Sequence, residues 1–185
     1  MRPTFSVRPI FRFAAAALIA GPLPAAACMM KAPFQIEDIA QADAIFTGRL
    51  IRYELVSPGR ANSLDEYGLL TVRVDKVLKG KVSGDVQLYW WNSTFGVPKT
   101  LPFDGPIIVA ASGVERTGLP LRGPSATVFP SRRPDLLQVL QAPCSSPFIL
   151  PYVAKSEDNI RAVLRGETVA PFNYIRPPAV SRGVE

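Results

Sequence analysis

Chemistry is limited first by which side chains a chain owns, and this one has no histidine among its 185 residues. That removes the Ser-His-Asp and Cys-His nucleophile systems and every metal site built on imidazole. Three carboxylate pairs could in principle do acid–base work: Glu37 with Asp38, Asp65 with Glu66, and Glu157 with Asp158. Acids adjacent in sequence belong to helix starts and turns far more often than to the two sides of a scissile bond. No nucleophile, base and orienting group can be assembled, so the sequence reads as non-enzymatic, without cofactor or metal. Two cysteines remain, Cys28 and Cys144, together with an aromatic run Tyr89-Trp90-Trp91. Alternation places Tyr89 and Trp91 on one strand face, where aromatic rings can serve as a stacking platform for a protein or glycan ligand. The commoner role for such a tryptophan is packing beneath a helix or loop. Asn92-Ser93-Thr94 fits a glycosylation acceptor, a triplet frequent by chance, and no role is assigned to it.

What these residues can do depends on where the chain resides. Met1 to Arg12 carries three arginines and no acid, and Phe13 to Ala20 is an unbroken apolar run too short to span a bilayer. Gly21, Pro22 and Pro24 then break the helix, and Ala25-Ala26-Ala27 supplies the small side chains that a signal peptidase requires. Residues 1–27 are therefore expected to be a cleavable signal peptide, with Cys28 the first residue of a periplasmic or secreted product. Cys28 after Ala-Ala also fits the lipid-anchored cysteine of a bacterial lipoprotein, although Ala25 stands where leucine is usual. No later segment is apolar for long enough to cross a membrane. An even cysteine count in an exported chain favours a Cys28–Cys144 disulfide. A bridge closing a loop of more than about 100 residues contributes about 5 kcal/mol in the chain-entropy view.

Removing Arg2, Arg8 and Arg12 lowers the basic count from 21 to 18 against 15 acids. That small, scattered excess argues against nucleic acid, and the densest cluster, Lys76, Lys79 and Lys81 around Gly80, reads as a solvated turn. The size and an apolar content of 48% suit one core.

Gln35 to Ala44 has helical spacing at Ile36, Ile39 and Ala40, with Glu37 and Asp38 at its start. Ile45 to Leu55 alternates until its phase slips at Ile51, which with Gly48 indicates a bulged, coiled strand. Leu70, Val72 and Val74 mark a second strand, ended by Lys79-Gly80, and Val86 to Trp91 a third. Pro106 to Ser112 reads as a fully buried fourth strand, and Leu136 to Ala142 as a fifth that delivers Cys144. Between them Gly113 to Pro134 reads as a long loop. Ser156 is expected to cap a helix carrying Ile160, Val163 and Leu164, with Gly166 as its stop. Residues 167–185, rich in proline at their end, read as a loosely attached tail. The expected architecture is mostly β: a five-stranded antiparallel barrel of the oligosaccharide/oligonucleotide-binding type, flanked by a short N-terminal helix and a C-terminal helix.

Ala42-Asp43, Phe46 and Gly48-Arg49, followed by Val74, Val77 and Lys79-Gly80, resemble the netrin-like domains related to tissue inhibitors of metalloproteinases, in particular exported bacterial members. Ile107 to Ala111, Cys28 and Cys144 fit the same layout, so that the resemblance spans residues 28–166. It implies an N-terminal cysteine, an enclosed barrel and a closing helix. It also departs from the pattern, because Met30 and Phe95 stand where a second pair of cysteines is common, and a Cys28–Cys144 bridge is a crossed pairing relative to the animal inhibitors. Those inhibitors chelate a protease's zinc through the first residue and insert the second into its pocket. Carried over, the resemblance implies a protease-contacting wedge of Cys28 and Met29; the alternative is that Cys28 only anchors the N-terminus and Met29 and Met30 pack.

Overall fold

Each run of alternating apolar residues is a strand, because side chains two apart share a face and only one face of each run has a core to enter. The computed structural model describes residues 35–59, 66–91, 96–113, 133–142 and 145–170. The expected signal peptide (residues 1–27), Cys28 to Met30, Asp65, Asn92 to Phe95, most of the stretch expected as a loop over Gly113–Pro134, Cys144 and the last fifteen residues lie outside them. A 3-10 helix, Ile36–Gln41, leads into β1 (Ala44–Val56), β2 (Tyr67–Lys79), β3 (Asp85–Trp90), β4 (Pro106–Ser112), β5 (Leu137–Val139), β6 (Ile149–Pro151) and α1 (Ala154–Leu164). The leading helix is shorter and tighter than the helix expected over Gln35–Ala44: Ala42 is already extended, and its N–H bonds Ile39 O.

Strands β1 to β5 close a mixed barrel in the cyclic order β1-β2-β3-β5-β4. Every neighbouring pair is antiparallel except β3 and β5, which run parallel through Leu88–Leu137 and Tyr89–Gln138. The wholly antiparallel barrel expected from the sequence is corrected here on simple grounds. Strand direction must alternate around an antiparallel ring, and five is odd, so at least one neighbouring pair has to be parallel.

Strand β4 bears the closure. One edge pairs with β1 from Ala44–Ala111 to Arg49–Pro106. The other edge is shared end to end, Ala111 and Ser112 pairing with β5 and Ile107 to Val109 with β6. The fifth strand is thus split rather than continuous over Leu136–Ala142. Its halves meet at Ala110, whose O accepts from Leu140 N at 2.9 Å while its N donates to Phe148 O at 3.0 Å. Phe148 N donates to Leu140 O at 2.9 Å, which ties the two halves together.

The apolar residues sort into two faces. Phe46, Leu70, Val72, Leu88, Trp90, Ile107, Val109 and Val139 fill the barrel interior. Their sequence neighbours Ile45, Ile108, Ala110 and Leu150 point outward on the β1–β4–β6 wall, where Ile36 and Ile39 of the leading helix and Ile160 and Val163 of α1 cover them. Strand β1 curves between its two partners through three register irregularities, the last leaving Ile51 unpaired and exposed between Leu50 and Arg52. At one end of the barrel Val97, Leu101 and Phe103 pack onto the interior cluster, and Tyr53 OH donates to Pro98 O at 2.5 Å. Burial, and secondarily the charge of Glu66, push the Tyr53 phenol up to about 12. Folding therefore holds the proton more tightly than the unfolded chain, whose phenol ionises near pH 10. The stabilisation is complete below that value and is lost as pH climbs toward 12. Ultraviolet titration should show one phenol ionising near pH 12 that Tyr53→Phe abolishes; a tyrosine titration complete by about pH 11 would contradict this.

Candidate functional site

From Tyr67 to Arg73 on β2 and Asp85 to Tyr89 on β3, the outward face of the barrel wall grades from charged to aromatic. Arg73 forks onto Asp85 across the strand pair at 2.8 and 3.0 Å. The hydrogen bonds hold the Asp85 carboxyl below its ordinary range and raise the guanidinium. Thr71 lies opposite Gln87 in the next outward row, and Leu69 opposite Tyr89 in the one after. Tyr67, two residues further, stacks on Tyr89 with ring centroids 5.2 Å apart and planes tilted by 42°. Along the exposed parts of β1 to β3, Arg49 pairs with Asp75, Arg52 with Glu54 and Arg73 with Asp85. Three cations thus face three acids among the described residues of this surface.

Tyr89 points away from the interior, as its buried neighbours Leu88 and Trp90 require, yet it is 0% exposed. The expectation that its ring stands open as a platform is corrected: alternation gives the direction of a side chain but not what roofs it. Tyr67 and Trp91 are half-buried at the rim. Beside them Arg133 donates to both oxygens of Asp135 at 2.9 and 2.7 Å, and Tyr67 adds to the guanidinium's stabilisation. Tyr67 and Arg133 were invisible as site residues in the sequence because only the fold brings Tyr67 to Tyr89 and Arg133 to Tyr67. The signal present was Tyr67 at the outward phase of the 67, 69, 71 series.

Of the carboxylate pairs, one member each of two is buried, Asp38 in the leading helix and Glu157 in α1. Glu157 is 8% exposed in the first turns of α1 and gathers Lys76 Nζ from β2 at 2.6 Å, Arg161 Nε at 2.9 Å and Tyr152 OH at 3.2 Å. These hydrogen bonds, Lys76 first, hold its carboxyl below the ordinary range against the opposing effect of burial. Lys79 is likewise spent on structure, donating to Ala40 O at 2.7 Å. The expected basic cluster is therefore partly bolted to the fold. Ser156 does not cap α1: the N-cap is Val153, and Ser156 sits inside the first turn, 1% exposed, its Oγ without a partner among the described residues. Since an unsatisfied buried hydroxyl costs more than it returns, Ser156→Ala should raise stability by about 1 kcal/mol in denaturant unfolding. A loss of stability would show that the hydroxyl has a partner. The end of α1 matches expectation, with Gly166 N on Val163 O and Glu167 N on Ala162 O.

Cys28, Met29 and Cys144 lie outside the described residues, while Gln141, Ala142 and Ser145 near Cys144 are joined by hydrogen bonds. Trp90 Nε1 donates to Gln141 Oε1 at 2.8 Å, Gln141 Nε2 to Ser145 O at 2.7 Å, and Ser145 Oγ to Ala142 O at 2.8 Å. Leu140 and Phe148, which flank Cys144 in the sequence, share one apolar cluster with Ile36 and Ile39. Among the described residues no three His, Cys, Asp or Glu side chains come together as a metal ion would need, and no helix is long and apolar enough to cross a membrane. Compared with known proteins, the chain matches no family model and no curated protein.

Proposed function

We propose that the protein is an exported, non-catalytic binding or structural module of the cell envelope, built on a barrel of the oligosaccharide/oligonucleotide-binding type with the netrin-like layout. The observation that carries the reading is the closed β1-β2-β3-β5-β4 ring with its one parallel pair and its helix-covered wall. The resembling residues have jobs in that closure. Asp43 Oδ2 accepts from Gly113 N at 2.8 Å, and Lys79 ties the leading helix to the end of β2. Gly80, at φ +81°, lies where a side chain would strike Asp43 O. The absence of histidine and the commitment of Glu157 to docking α1 support a role without catalysis. The charge-paired face supports a partner other than nucleic acid, a protein or glycan, met at the aromatic rim of Tyr67 and Trp91.

A disulfide between Cys28 and Cys144 is consistent with this geometry. Six residues lie between Cys28 and Gln35, a reach of at most about 25 Å, and the leading helix that follows packs against Leu140 and Phe148, which flank Cys144 in the sequence. Two measurements test the reading. A reporter enzyme active only outside the cytoplasm should work when fused to the full chain and fail when residues 1–27 are deleted. The mature protein should co-sediment with purified cell-wall glycan, or cross-link to an envelope protein through a photoreactive residue at position 91. Trp91→Ala should weaken whichever occurs without lowering Tm. An inactive full-length fusion, or neither form of association, would overturn the proposal.

A further inference from the structure

We draw no further inference here: the strongest candidate, the Glu157 cluster with Lys76, Tyr152, Arg161 and the neighbouring buried Ser156 hydroxyl at the start of the C-terminal helix, is accounted for by docking that helix on the barrel, the role already described for it.

Discussion

Replacing Gly48 with alanine is expected to cost about 4 kcal/mol, enough to lower Tm by on the order of 10 °C or to prevent folding at 37 °C. Gly48 lies in the stretch of β1, Ile45 to Arg49, that is paired on both sides, and its own partners are Val74 of β2 and Ile107 of β4. A Cβ there would lie 2.2 Å from Arg73 O and 2.9 Å from a methyl of Val72. The first contact is with backbone, which cannot rotate aside. Relief requires β1 and β2 to separate where their closeness lets the barrel curve shut, so ladder bonds and interior packing are lost together. Denaturant unfolding of Gly48→Ala beside the parent measures this. A difference below about 1 kcal/mol would mean that the strands do not approach this closely.

Replacing Glu157 with glutamine should detach the C-terminal helix from β2 at a cost of about 2 kcal/mol. Breaking a fully buried ion pair costs about 3–5 kcal/mol because the surviving charge is stranded. Here Lys76 and Arg161 are 55% and 40% exposed and can regain water, which places the cost below that range. The pH dependence has a definite sign. The folded carboxyl is held below its ordinary value near 4.5, so its contribution is complete above that pH and disappears as acid protonates the folded form. The parent should lose stability below about pH 4.5 by more than the Gln variant does, the two converging in strong acid. Equal pH profiles for parent and variant would show that Glu157 carries no such coupling.

Much of the barrel was legible in the sequence, because period-two alternation reports the faces of a strand. Leu70, Val72 and Val74 alternate as a half-buried strand must, and the apolar run Pro106–Ser112 matches β4, which is buried on both faces. The slip at Ile51 marked the bulge it causes. What failed is non-local. The split of the fifth strand at Ala110 is fixed by what pairs across from it, and the parallel β3–β5 contact by ring closure. The enclosure of Tyr89 depends on a tyrosine 22 positions earlier. Ser156 looked like a cap because serine favours that position, but burying Ile160 and Val163 on the barrel wall sets where α1 begins. Of the candidate site, the sequence supplied the aromatic residues, and strand register decided which of them reach the surface.

The intact mass of the protein purified from its natural host tests most directly the proposal that the barrel is exported and tied by its two cysteines. The account predicts a chain that begins at Cys28, carries no lipid, and is two hydrogens lighter than the sequence of residues 28–185. A product that still begins at Met1, or one with both thiols free while folded, would contradict it.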